Sequence, residues 1–239
     1  MNWNIEELNS RSLKCLERLD HARRRGFDPK VIFDVGAYVG KWAKEVHSLY
    51  PMSKILLVEP NINLVDAINS NIDSFSNQVV LAHFAAGSKE DTLTLNIWKN
   101  PKHNNEVVAF AASSLLTHVQ GPATQRLQVD VKTIDWMAKH YNLVPDLLKL
   151  DLQGYELEAL KGAKECLGRA EMCIIEFGCL DAYQGRTTPQ DIMNVMYQYD
   201  YVLYDIVDLI YRPYDGALVG GDFFFVKGKS KLKAHKDYF

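Results

Sequence analysis

The stretch Val31-Ile32-Phe33-Asp34-Val35-Gly36-Ala37-Tyr38-Val39-Gly40 decides the fold. Its first half is apolar apart from Asp34 and reads as a short buried strand. Gly36 and Gly40 then mark a tight turn into a helix expected over Lys41–Leu49. Glycine is needed where a backbone turns sharply or a ligand must approach it closely. In a doubly wound sheet, ligands sit at the carboxyl ends of the strands, near this first turn. The next strand, expected over Lys54–Glu59, ends in an acid about 20 residues on, where a carboxylate can accept both hydroxyls of a ribose. Strand, glycine turn and distant acid together point to a nucleoside-binding site.

Outward from that stretch the rhythm continues. A helix is expected from near Asn61 and a strand over 79–84. Strands alternating with helices imply βαβ units and a mainly parallel sheet. The middle departs from this. Residues 92–98 alternate like an antiparallel strand, and 99–125 read as a long loop of the kind that is usually functional or disordered. A strand over 127–134 and a helix over 136–141 follow. The rhythm then returns with a strand at 147–151, a single helix at 154–167 stopped by Gly168, and a strand at 171–177. A helix at about 189–199 and an antiparallel pair, 201–207 with 222–227, close the chain.

The expected fold is therefore α/β: a doubly wound, mostly parallel seven-stranded sheet with an N-terminal helical extension. Residues 3–25 carry Ile5, Leu8, Leu16 and Leu19 near one helical stripe. Arg23, Arg24 and Arg25 suit the negative end of that helix and read as a solvated terminus. The organisation expected is a helix within 1–28 that packs on or covers the domain, one domain over 29–228, and a basic, solvated tail over 229–239.

The 239 residues are 47% hydrophobic and 24% charged, as in an ordinary globular protein that buries its core without staples. Net charge is −3, which lacks the basic excess of a nucleic-acid-binding face. No apolar run approaches the roughly 18 residues of a membrane span. The N-terminus has neither the basic flank nor the apolar core of a signal peptide. Cys15, Cys166, Cys173 and Cys179 show no CxxC or zinc spacing and read as reduced residues of a cytoplasmic protein.

The turn also selects a cofactor. A dinucleotide site wants G-x-G-x-x-G, because a pyrophosphate lies against bare backbone. Here the turn is G-A-Y-V-G, with bulky Tyr38 where the backbone should be open. Asp34 ahead of the first glycine repels a pyrophosphate but can organise a loop that receives an ammonium group. The amino acid end of S-adenosylmethionine fits better than NAD.

At these residues the chain resembles a known family. DVGAYVG (34–40), LLVEPN (56–61) and above all LLKLDLQGYELEALKGA (147–163) are similar to the FkbM family of S-adenosylmethionine-dependent class I methyltransferases. The resemblance spans roughly residues 30–227. It implies a Rossmann-like sheet and S-adenosylmethionine as cofactor. It implies a methionine-binding turn of Asp34, Gly36, Ala37, Tyr38 and Gly40, with Glu59 on the ribose and Pro60 beside it. It also implies that Ala85 and the rest of 85–88 lie near the adenine, and that Ser113 and Ser114 match the family's paired serines. Two positions depart from the family pattern: Tyr38 replaces a common asparagine, and Gln153 a common glutamate. No catalytic role is assigned to position 153.

Methyl transfer from a sulfonium is an in-line displacement in which the protein aligns and deprotonates the acceptor. An alcohol acceptor needs a base. Asp151, Glu176 and Asp222 sit at strand ends that can face one cleft. They are candidates for the base, for orienting sugar hydroxyls, or for oxygen ligation of a divalent ion; metal dependence stays open. Asp151 can alternatively cap a helix starting near Gly154. Lys149 shares a strand face with Asp151 and suggests a buried pair. His83 and His118 qualify as bases only if the fold brings them to the cleft.

The turn after Asp151 lacks the Asn/Asp-Pro-Pro-aromatic pattern of enzymes that methylate exocyclic amines of bases. With the net charge, this points to hydroxyls of a small-molecule or glycan acceptor, and O-methylation is what the resemblance implies. Two rivals stand beside it. One is a nicotinamide-dependent oxidoreductase with a degenerate turn. The other is a catalytically inactive cofactor-binding module. Oligomeric state is left open.

Overall fold

The computed structural model describes residues 14–97, 113–118, 123 and 125–235. Its strands are β1 (Val31–Val35), β2 (Lys54–Val58), β3 (Val79–Ala82), β4 (Ala85–Ala86), β5 (Asp91–Ile97), β6 (Gln125–Lys132), β7 (Leu147–Leu150), β8 (Met172–Gly178), β9 (Tyr201–Tyr211) and β10 (Leu218–Lys227). Its helices are α1 (Cys15–Arg24), α2 (Lys41–Leu49), α3 (Val65–Ile72), α4 (Ile134–Tyr141), α5 (Glu156–Lys161), α6 (Lys164–Arg169) and α7 (Pro189–Gln198).

Seven strands form one sheet in the order β3-β2-β1-β7-β8-β10-β9. Strands β3, β2, β1, β7 and β8 pair in parallel, and β10 runs antiparallel to both of its neighbours. Short apolar strands such as Leu147–Leu150 suit a sheet that is covered on both faces. One face carries Ile32, Ile55, Leu57, Leu147 and Ile174 against α1, α2 and α3. The other carries Phe33, Leu56, Leu148, Cys173 and Ile175 against α4, α5, α6 and α7. The chain winds outward from β1 to β3 and returns to β7 on the other side of β1. That reversal opens a crevice at the carboxyl ends of β1 and β7.

A second, three-stranded sheet, β4-β6-β5, flanks this crevice. Its alternating strand β5 pairs antiparallel with β6 and buries Leu95 and Ile97, as its period-two pattern requires. Most of the expected loop over 99–125 lies outside the described residues, as do 1–13 of the expected N-terminal helix and 236–239 of the tail. At the end of α1, Arg23 and Arg24 both pair with Asp20.

Two expectations are corrected. The helix expected over 154–167 is two helices, broken at Gly162–Ala163. The break exists because Asp135 of α4 caps a fresh N-terminus, accepting the N–H groups of Glu165 and Cys166 at 2.9 Å each. Gly168 then lies inside α6 rather than ending it. The closing strands are also longer than expected. Gly220 and Gly221 look like breakers, yet they belong to β10, where a Cβ on Gly220 would stand 2.3 Å from the Phe177 carbonyl oxygen.

Candidate active site

The glycine turn is set by contacts with its neighbours. The N–H groups of Gly36 and Ala37 both donate to the Val58 carbonyl, at 2.9 and 3.0 Å, which folds the turn over the end of β2. Gly36 has φ +84°, and a Cβ there would lie 1.9 Å from the Asp151 carbonyl oxygen. No side chain fits that space. Tyr38 is also left-handed, at φ 52°. Its N–H donates to Glu59 Oε2 at 2.8 Å, while Glu59 Oε1 accepts the Asn61 N–H at 2.8 Å. Burial pushes the Glu59 carboxyl up to about 7 against the pull of those two backbone bonds.

Above this turn lies a cavity of about 230 Å³. Gly36, Tyr38, Glu59, Pro60, Ala85 and Ser114 line it, with Leu64, Phe84, Leu95 and Tyr155 as apolar walls. Six of the nine residues expected at a cofactor therefore converge on one cavity. Asp34, Ala37 and Gly40 do not line it. Ala37 and Gly40 shape the turn, with the Gly40 N–H donating to the Ala37 carbonyl. Asp34 is fully buried, with Lys149 Nζ 3.4 Å from its Oδ1. Burial raises its carboxyl despite that ammonium.

A second cavity, of about 640 Å³, adjoins the first and shares Asp151 and Gln153 with it. Asp151, Glu176 and Asp222 all line it. The sheet register explains their convergence. Leu150 stands beside Ile175, so Asp151 comes level with Glu176, and Asp222 lies directly opposite Glu176. One row across β7, β8 and β10 thus presents three acids. Asp208 of β9 also lines the cavity, at a left-handed position where the β9–β10 register shifts.

The row is electrostatically uneven. Lys149 Nζ lies 3.2 Å from Asp151 Oδ2 and 5.4 Å from the centre of the Trp42 ring. Burial opposes the Asp151 charge, but Lys149 and the Gln153 amide hold its carboxyl below the usual range. Burial and the charges of Asp151, Glu156 and Asp222 drive Glu176 well above it. Burial, then Asp151, pushes Asp222 up to about 7. Burial would lower Lys149, yet Asp151 and Asp34 hold it above the ordinary lysine value.

The turn after β7 carries groups that the sequence reading had not made functional. Gln153 stretches its amide between Asp151 and Glu176. Glu156 Oε1 accepts the N–H groups of Leu152 and Gly154, at 2.9 and 3.1 Å. The alternative role for Asp151, capping at this turn, falls instead to Glu156, which in sequence looks like an ordinary acid of a helix's first turn. Tyr183, Asp208 and Arg186 also line the second cavity. No local signal marks them, because they arrive from loops and a strand irregularity. His83 and His118 line neither cavity. Ligand-type atoms of Cys15, Asp208 and Asp222 lie within 4.8 Å of one another. Asp208 is already engaged there at the start of α1, by the Cys15 N–H at 2.9 Å and Lys14 Nζ at 3.2 Å.

Chemically, the first cavity offers hydrogen-bond acceptors and apolar walls, and the second offers one carboxyl held below the usual range beside two raised above it. The family model of the methyltransferase FkbM domain matches residues 34–203. The chain is 27% identical over 146 residues to "Methyltransferase 1" of Beauveria bassiana (strain ARSEF 2860) and 28% identical over 157 residues to "Methyltransferase sdnD" of Sordaria araneosa. Each match covers 56% of this chain, with 59% of the first relative and 60% of the second. Among solved structures it is similar to methyltransferase FkbM from Methylobacillus flagellatus KT, at 17% identity and a TM-score of 0.49, over 81% of this chain and 43% of that one. Among the described residues, no helix is long and apolar enough to cross a membrane.

Proposed function

The chain belongs to the FkbM methyltransferase family, and on that premise we propose that it transfers a methyl group from S-adenosylmethionine to a hydroxyl of a sugar, glycan or other small metabolite. One observation carries the reading: a nucleoside-type cavity and a carboxyl-lined cavity meet at Asp151 and Gln153.

The residues present fit the cofactor. Glu59 uses one lone pair of each oxygen on backbone N–H groups and keeps others for two ribose hydroxyls. Phe84 and Leu64 supply apolar surface for a base, and Gly36 leaves backbone bare. Asp34 acts from beneath the turn, through its pairing with Lys149, rather than from the cavity wall. When bound, S-adenosylmethionine supplies a methyl group on a positively charged sulfur.

The protein's own chemistry is then alignment and proton removal. Asp151, level with both cavities, would accept the acceptor's hydroxyl proton as that oxygen bonds the methyl carbon and the carbon–sulfur bond breaks, leaving S-adenosylhomocysteine. Glu176 and Asp222 hold neighbouring hydroxyls of the acceptor. Tyr38, seated in the cavity wall, takes the space that a pyrophosphate would need, which speaks against NAD.

Thermal unfolding with S-adenosylhomocysteine, and in parallel with NAD, tests the reading. Ligand at a hundred times its dissociation constant adds about 2.7 kcal/mol, or roughly 5–11 °C for a chain of this size. A shift with S-adenosylhomocysteine alone is expected. A shift with NAD alone would replace the methyltransferase reading with a redox one. Turnover on a panel of sugars and metabolites separates an active enzyme from a module that only binds.

A further inference from the structure

We propose that Gln153 is a positioning residue that clamps Asp151 and Glu176 into one carboxyl pair holding a single proton, with Asp151 the ionised member and Glu176 the acid. The inference rests on the reading of the second cavity as the acceptor site, and it names what prepares the base there.

The geometry is specific. Gln153 Nε2 lies 3.1 Å from Asp151 Oδ1, 3.0 Å from Glu176 Oε1 and 3.1 Å from Glu176 Oε2. An amide nitrogen has two hydrogens and no acceptor, so both are directed at the two carboxyl groups. Turned over, the amide would aim its oxygen at the ionised Asp151, which has no hydrogen to give. As placed, that oxygen instead faces the Tyr183 hydroxyl, at 3.5 Å.

The backbone is held for this purpose. Gln153 has φ 53°, a left-handed conformation that a non-glycine residue keeps only where its surroundings hold it. Ser114 Oγ donates to its carbonyl at 3.0 Å. Glu156 holds the N–H groups on either side of it. The Thr187 N–H and hydroxyl both donate to the Gly154 carbonyl, at 2.7 and 2.8 Å. Three elements thus fix one side chain between two acids.

The surrounding charges decide which acid keeps the proton. Lys149 from β7, itself paired with Asp34 of β1, sits on Asp151 Oδ2. Glu176 has no cation within ion-pair distance among the described residues and faces Asp151, Glu156 of α5 and Asp222 of β10. Two carboxylates this close cannot both ionise in a poorly solvated site. The negative charge therefore settles on Asp151 and the proton on Glu176, in agreement with the opposite directions in which the two are shifted. A glutamate at position 153 would bring a third carboxyl to the same point. Glutamine supplies the donors without the charge.

The test is the infrared carbonyl stretch of protonated carboxyl groups, recorded as a difference between the full chain and its Glu176→Gln variant and titrated upward from about pH 6, where ordinary glutamates are ionised. Glu59, Glu156 and Asp222, raised to about 7, and Asp34, raised by burial, absorb in both proteins and cancel in the difference spectrum. The expected result is an acid band in the wild type that is lost in Glu176→Gln and grows about twofold in Gln153→Glu, because the added carboxyl stays protonated beside the pair. Absence of a Glu176 band, or a Gln153→Glu protein whose band is unchanged, overturns the proposal. Should Gln153→Glu fail to fold, Gln153→Met keeps the length and removes the donors. A displaced titration of the Glu176 band then supports the clamp, and an unaltered one overturns it. S-adenosylhomocysteine binding is measured on the same wild-type sample. A failure of the cofactor reading shows there, and a failure of the carboxyl pair shows only in the infrared.

Discussion

The two cavities meet at Asp151 but are built on different principles. The first is made from backbone turns: Gly36, Tyr38 and Glu59 lie within one βαβ unit and hold one another through main-chain N–H groups. Its buried Glu59 is held by main-chain N–H groups of the same unit, those of Asn61 and Tyr38. The second is made from side chains that meet through strand register, with Asp151, Glu176 and Asp222 drawn from three strands far apart in the chain. Its charges are balanced through space, by Lys149 and Gln153. A site made of turns is specified locally. A site made of register is specified only once the sheet exists.

Three substitutions test that contrast, in descending order of effect. Lys149→Met removes the only cation within ion-pair distance of Asp34 and Asp151 among the described residues. Stability should fall by about 3–5 kcal/mol in urea unfolding, the usual cost of breaking a buried pair on one side. A loss below about 1 kcal/mol, the level of an exposed pair, would mean the acids are not balanced through space. Gly36→Ala comes next. A Cβ cannot share space with the Asp151 carbonyl, and φ +84° suits glycine alone, so a loss of about 2–3 kcal/mol is expected, with weaker S-adenosylhomocysteine binding by calorimetry. An unchanged affinity would separate the turn from the cofactor. Ser114→Ala should cost about 1 kcal/mol through its lost hydrogen bonds to the Gln153 carbonyl and the Leu116 N–H. Because Ser114 belongs to the wall of the first cavity and steadies the turn bordering the second, this variant should disturb both. An effect confined to cofactor binding would mean that the cavities are independent.

The same contrast governs what could be read in advance. Pro60, Ala85 and Ser114 of the first cavity were implied by the family resemblance. The α/β class, the antiparallel close of the sheet, and Gly36 and Glu59 of that cavity follow from glycine placement, apolar runs and the Glu59 strand end. All of these are local signals. Asp34 shows where local reading stops: its position before the glycine was visible, but its burial beneath the turn depends on Lys149 of a later strand. The three acids could be nominated as strand ends, yet their alignment needed the register. Glu156 and Asp208 were overlooked for the same reason. One looks like a helix's first-turn acid until Leu152 and Gly154 fold back onto it, and the other becomes a cavity residue only through a shift between β9 and β10. The split at Gly162 was hidden because the cap comes from Asp135, on another helix.

The contact between Gly36 and the Asp151 carbonyl also bears on how the molecule comes into being. During synthesis, the glycine turn, Glu59 and Ala85 leave the ribosome early, and the nascent chain then holds most of one cavity's inventory. The surface that closes that cavity against Gly36 is main chain made roughly 115 residues later, so its assembly waits on a contact of high sequence separation, of the kind that folds slowly. A half-made chain therefore lacks the wall that closes this cavity, whatever the cavity holds in the finished molecule.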